Sequence, residues 1–298
     1  MPRIGWLSTD AAGEDSDRAL ERGLRDFGLV DGRTVRIFHR SAQGETSRLE
    51  RLAEELANLD VALILAPDPP AVAAASSVTK TIPIVMRVSN DPVKSGLVNS
   101  LAHPGGNVTG VYSNADELVR KRLEILKEAI PGVNRVAVLW DPRFELSKYW
   151  FSEAQSAADT IGVQIVSIEV HASKPDFGAA IDAAVAKKAQ ALVILRSPRI
   201  LRGMKEIASM AAIHRLPAIF DDQKFVQAGG LMSYGADLRD LHRHLAAYAD
   251  RILKGARPEN LPVEQPTKFE LVINSRTAQT INVTISKAVL LRADRVIE

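Results

Sequence analysis

The chain has 298 residues, more than a single core usually supports, so two lobes are expected rather than one. With 46% hydrophobic and 25% charged residues it reads as an ordinary globular protein, and a net charge of +2 spread over interleaved acids and bases excludes the clustered footprint of a nucleic-acid binder. The absence of cysteine excludes disulfides, thiol catalysis and thiolate metal sites.

In chain order, Met1-Pro2-Arg3-Ile4-Gly5-Trp6-Leu7 reads as a first strand rather than a secretory leader, so either a leader has been removed or the protein stays inside. Leu20, Leu24 and Phe27 make a helical stripe ended by Gly28, and Ser47-Arg48-Leu49-Glu50 reads as a capping box opening a helix that turns Leu49, Leu52, Ala53 and Leu56 inward. Apolar runs at 62–66 and 84–88 stop at Pro67-Asp68-Pro69-Pro70 and Ser89-Asn90-Asp91-Pro92. A long helix follows, with Val119, Leu123, Leu126 and Ile130 in phase before Pro131-Gly132. The pattern then repeats. Runs at 136–140, 191–195 and 218–220 stop at Asp141-Pro142, Arg196-Ser197-Pro198 and Asp221-Asp222. The stripes between and after them are Phe151, Ala154, Ala158, Ile161; Phe177, Ile181, Ala184, Val185; Met204, Ile207, Ala208, Ala211; and Leu241, Leu245, Tyr248, Ile252. A Pro-containing extended segment at 261–274 and a short helix close the chain, and this tail is expected to complete the two lobes.

Continuous apolar strands alternating with amphipathic helices predict an α/β protein of two Rossmann-like, doubly wound parallel-sheet lobes joined through a multi-crossing hinge. The expected lobes are 1–113 with about 235–265, and 114–234 with about 266–298. Ligands of such sheets collect at the carboxyl ends of the strands, so the five polar loops mark a rim around a cleft.

Catalytic signals weaken on inspection. Asp176-Phe177-Gly178 imitates a kinase triplet but opens an amphipathic helix. His242 and His244 diverge on a helix, so no metal site is expected. Gly105-Gly106-Asn107 lacks the Lys-Ser/Thr of a phosphate loop, and no serine has the setting of a nucleophile elbow. No enzyme activity and no cofactor are expected.

Longer motifs narrow the reading. Asn90-Asp91-Pro92-Val93, then Gly96-Leu97-Val98, Ser100-Leu101-Ala102, Pro104-Gly105-Gly106-Asn107 and Thr109-Gly110 resemble the substrate-binding proteins of ABC importers in the tryptophan-importer-like group. Gly229-Gly230-Leu231-Met232-Ser233-Tyr234-Gly235 and the run from Leu261-Pro262-Val263-Glu264-Gln265-Pro266 to Ile273-Asn274 do so as well. The resemblance implies the type I periplasmic-binding-protein fold, a small polar ligand such as an amino acid or an aromatic or carboxylate compound, and hinge closure. It further implies a membrane permease with its ATPase as partner, a monomer, and a periplasmic or membrane-tethered location. The alternative is a cytosolic ligand sensor of the same fold. The first loop, Ser8-Thr9-Asp10-Ala11-Ala12-Gly13-Glu14-Asp15, is more acidic than the small-residue loop expected of the family, so ligand identity does not carry over.

The candidate ligand-binding residues are Ser8, Thr9, Pro67, Asp68, Ala71, Ser89, Asn90, Tyr112, Asp141, Ser197 and Asp221. Pro69 and Pro70 would begin a helix whose free amides at Ala71 and Val72 suit a carboxylate, with a plain loop as the alternative. Ser89 and Asn90 are read as ligand groups and Asp91 as a turn brace. Asp221 is the expected ammonium partner and Asp222 a helix cap, or the two roles are exchanged. Tyr112 would floor the cleft. Tyr149 and Trp150 form a candidate aromatic platform, with packing of the helix start on its own lobe as the alternative.

Overall fold

The computed structural model describes residues 1–9, 15–172, 175–266 and 268–298. The chain divides into two compact units, Met1–Asn114 with Asp237–Lys268 and Ala115–Ala236 with Phe269–Glu298, and so passes from one to the other three times.

The first unit begins with β1 (Arg3–Ser8), α1 (Asp15–Asp26), β2 (Arg36–Ser41), α2 (Leu49–Ala57), β3 (Leu63–Ala66), α3 (Pro69–Val78), β4 (Ile84–Val88) and β5 (Val108–Tyr112). Its five strands are all parallel in the order β2-β1-β3-β4-β5. Leu52 and Leu56 of α2 and Val72 of α3 pack on Ile64, Ile84 and Met86, so the strands lose their exposed face to helices, as the unbroken apolar runs required. The expected capping box does not form. A 3-10 turn at Thr46–Arg48 leads into α2, which makes Arg48 the N-cap, with no side-chain hydrogen bond to the helix. Gly110 is dictated by sheet geometry: its φ is 137°, and a Cβ there would stand 2.2 Å from the Met86 carbonyl oxygen of β4.

The second unit begins with α4 (Ala115–Ala129), β6 (Arg135–Trp140), α5 (Glu145–Ile161), β7 (Gln164–Glu169), α6 (Phe177–Ala186), β8 (Ala191–Ile194), α7 (Pro198–Arg202), α8 (Met204–Ile213), β9 (Ala218–Phe220), α9 (Gln223–Gln227) and β10 (Met232–Ala236). Strand β6 shows why the sheet needs cover on both sides. Val136, Val138 and Trp140 enter the cluster under α4 and α5, while Ala137 and Leu139 enter the one under α6 and α8. Gly162, at φ 71°, ends α5 by donating its amide to the Ala158 and Asp159 carbonyls. Asp176 caps α6 by accepting from the Ala179 amide, which accounts for the kinase-like triplet. Val185 departs from its predicted stripe and is exposed on α6.

The tail divides between the units. Helix α10 (Leu238–Leu253) returns to the first and packs on α1, burying Leu241, Leu245 and Tyr248. The segment predicted as one extended run is two. Residues 261–264 line β5, where Val263 and Glu264 donate to the Leu101 and Gly110 carbonyls and the Tyr112 amide donates to Glu264. Then β11 (Phe269–Asn274) pairs antiparallel with β10 in the second unit, followed by α11 (Ser275–Thr280), α12 (Lys287–Arg292) and β12 (Arg295–Ile297). That sheet runs β12-β11-β10-β9-β8-β6-β7. Among the described residues no helix is long and apolar enough to cross a membrane.

Candidate functional site

In the first unit the strand-end loops are tied together by Asp68. Its Oδ1 accepts from the Thr9 hydroxyl at 2.6 Å and the Ala71 amide at 3.0 Å, and its Oδ2 accepts from the Thr9 amide at 2.9 Å. The Asp68 carbonyl takes the Val72 amide. This corrects the expectation of free amides at the start of α3: Pro69 and Pro70 have none to offer, Ala71 is capped, and Val72 closes the first turn. Asp68 and Ala71 therefore brace the β1 and β3 loops, and Pro67 serves as the link into the cap. Thr9 is engaged in the same bonds, and both Ser8 and Thr9 are buried. Residues 10–14 of the acidic first loop, like Thr267 of the tail motif, lie outside the described residues.

After β4, Asp91 braces its turn by accepting from the amides of Val93 at 2.8 Å and Lys94 at 3.2 Å. Ser89 and Asn90 are half-buried beside it. The Asn90 Oδ1 is sealed from solvent and has no hydrogen-bond partner. The Tyr112 ring is buried in the core of the first unit because β5 is covered, and its hydroxyl donates to Asn114 Oδ1 at 2.8 Å.

In the second unit most strand-end groups also serve as braces. Asp141 is 1% exposed; it accepts from the Arg143 amide and from Arg199 Nη1 at 2.7 Å, while its own amide donates to Ser147. Ser197 is buried and caps α7 through the Ile200 amide, with Pro198 in the first helical position. Asp141 and Ser197 therefore both brace their own loops. Asp222 caps α9 through the Lys224 amide, which settles it as the helix cap of the pair.

Asp221 is different. Arg196 Nε donates to its Oδ2 at 2.6 Å and Arg196 Nη2 donates to Asp222 at 3.1 Å, yet Asp221 Oδ1 is buried without a partner. Burial pushes the Asp221 carboxyl up, but Arg196 and then Arg122 outweigh it and hold the group below the usual carboxylate range. For Arg196, burial lowers the pKa and the two aspartates more than reverse it. Gly235 makes the close fit possible, since a Cβ there would stand 2.0 Å from the Asp221 carbonyl oxygen.

The aromatic platform is not formed. α5 starts at Glu145 and buries Trp150, Ala154, Ala157 and Ala158, while Phe151 and Ile161 of the predicted stripe pack partly buried against the same cluster. Trp150 is 4% exposed and meets Phe144 edge-on, Phe151 stacks on Trp140 at 4.5 Å, and Tyr149 lies on the surface. Arg196 went unsingled in the sequence although it follows an apolar strand. Arg122 was missed too, and its signal was a charged residue on the Val119–Leu123–Leu126 stripe. His242 and His244 separate as expected: His242 is buried, while His244 Nδ1 meets Glu264 at 2.6 Å. Among the described residues no group of three or more acids or histidines could hold a metal ion.

Two parallel-sheet α/β lobes, with polar loops at the strand ends and the chain passing three times between them, define a protein of the type I periplasmic-binding-protein class. The chain matches the family described as ABC transporter substrate binding protein over residues 7–297, and it belongs to that family, which is a class of solute-binding proteins rather than enzymes. It is 28% identical over 271 residues to a tyrosine-binding protein of Clostridioides difficile, covering 90% of this chain and 77% of that one. Among solved structures, an ABC domain in complex with L-Trp from Streptococcus pneumonia is 26% identical with a TM-score of 0.86, covering 99% of each chain. A conserved domain protein from Vibrio cholerae reaches 0.87 at 26% identity, again covering 99% of each chain.

Proposed function

We propose that this protein is the solute receptor of an ABC importer and takes an amino acid, held between the two units as they close and then passed to a membrane permease with its ATPase. The observation that carries the reading is Asp221: a buried carboxylate with one oxygen fixed by Arg196 and the other unpartnered. Leaving such an oxygen unpaired costs about 1–3 kcal/mol, and a ligand ammonium would recover it through a charge-assisted bond. Asn90 Oδ1, unpartnered after β4, supplies a second polar contact from the other unit. Support for the ligand class comes from the relatives described as tyrosine-binding and as complexed with L-Trp. Closure follows from differential contact, because only a closed form touches the ligand from both units. A receptor of this kind works outside the cytoplasmic membrane, where its permease collects solute.

A thermal-shift screen of the common amino acids and of aromatic acids tests the reading. A ligand present at 100 times its dissociation constant stabilises by about 2.7 kcal/mol, so a true ligand raises the midpoint clearly. If no amino acid moves it, the amino-acid reading is lost.

A further inference from the structure

A receptor for amino acids must hold a carboxylate as well as an ammonium. In the described strand-end loops of the second unit, Arg196 and Arg199 are both engaged with aspartates, and Arg143 is exposed. Arg122 is the unusual residue. It lies on the inner face of α4, is 4% exposed, and donates through Nε to the Tyr234 carbonyl at 2.8 Å. That is its one hydrogen bond among the described residues, and its terminal nitrogens are not sealed from solvent. A guanidinium carries five N–H donors in a planar fork, so most of the capacity of a buried cation stands unused. Burial draws its pKa down to about 10, with Asp221 only partly offsetting that. The anchor also fixes its level in the sheet. Ser233 of β10 is in register with Phe220 of β9, so Tyr234 comes level with Asp221, the next residue after Phe220.

Arg122 and Arg196 balance the charges of Asp221 and Asp222. A bare amine would leave this partly dried group with an excess positive charge and a carboxylic acid with an excess negative one, whereas a zwitterion preserves the balance. Resting on the amino-acid reading above, we propose that Arg122 binds the ligand's α-carboxylate while Asp221 Oδ1 binds its α-ammonium, and that Arg196 is the positioning residue that holds Asp221 with one oxygen presented. The site then selects α-amino acids as zwitterions.

The test uses isothermal titration of the full chain with L-tyrosine, L-tyrosinamide, tyramine and 3-(4-hydroxyphenyl)propionate, alongside the tryptophan equivalents. The wild type should bind the amino acid roughly 10- to 100-fold more tightly than each compound lacking one charge, the size expected of a lost charge-assisted bond. In Arg122→Met the preference of the amino acid over its amide should collapse, and Arg122→Lys should restore part of it. In Asp221→Asn the preference over the deaminated acid should collapse instead. A purely structural Arg122 would weaken acid and amide equally, and that result overturns the proposal. The wild-type series stands even if a variant fails to fold: an amide or an amine bound as tightly as the amino acid overturns the proposal while leaving the receptor reading intact. If no amino acid binds at all, both fail together.

Discussion

Asp68 and Asp221 both stand within two residues of the end of a parallel strand, and their carboxylates are used in opposite ways. Asp68 accepts three hydrogen bonds from neutral donors of its own unit, on both of its oxygens. Asp221 meets a single cation on one oxygen and leaves the other open. The difference teaches that a carboxylate on a strand-end loop keeps capacity for a ligand only when the loop does not consume it. Local partners decide: Pro69 and Pro70 place the start of a helix at Asp68, whereas Asp222, one residue on, takes the capping role away from Asp221.

The largest way to break the comparison is through two close-packed glycines, one behind Asp221 and one within the sheet of the first unit. Gly235→Val should cost about 3 kcal/mol or more, because its Cβ would collide with the Asp221 carbonyl, and Gly110→Val should cost as much through the Met86 backbone. Only the first should also disturb ligand binding; equal loss of binding by both, measured on folded protein by titration, would remove the special status of Asp221. Next, Asp68→Ala should destabilise the first unit by roughly 2 kcal/mol in urea unfolding, through the lost cap and the lost Thr9 bonds. Asp221→Asn should cost less at pH 7 while abolishing the ammonium contact.

A smaller effect lies in pH. The Asp221 carboxyl is held below its ordinary value in the folded state, so its stabilisation is present above the unfolded value near 4 and is lost as pH falls through the folded one. Urea midpoints between pH 7 and pH 2 should therefore fall less steeply on the acid side in Asp221→Asn than in wild type. Parallel curves would mean that Arg196 does not stabilise the ionised form. The smallest expected change is Asn90→Ala. It removes an oxygen that bonds nothing in the first unit, so stability should move by less than about 0.5 kcal/mol while ligand affinity drops. A large loss of stability would show that Asn90, like Asp68, is a brace.

Much of the fold was legible because it rests on local, periodic features. The five apolar runs became β3, β4, β6, β8 and β9 within a residue at either end, and the stripe through Leu241, Leu245 and Tyr248 became α10. Errors arose at the edges of the pattern: a 3-10 turn displaced the expected cap of α2, and Val185 of the α6 stripe is exposed. The candidate site was less legible. Sequence reading offered Asp221, Asn90, Asp68, Asp141 and Ser197 alike; the last three hold their loops together, while Asp221 and Asn90 each keep an unpartnered oxygen.

The amino-acid sequence by itself determined the class of the molecule: two α/β lobes with polar loops at the strand ends. These follow from hydrophobic period and turn chemistry, which act over a few neighbouring residues. Tertiary structure alone decided which polar groups remain open. That choice depends on pairs far apart in the chain, such as Thr9 with Asp68, Arg199 with Asp141 and Arg196 with Asp221. Hydrogen-bonding capacity is finite, and only the folded arrangement shows where it has been used.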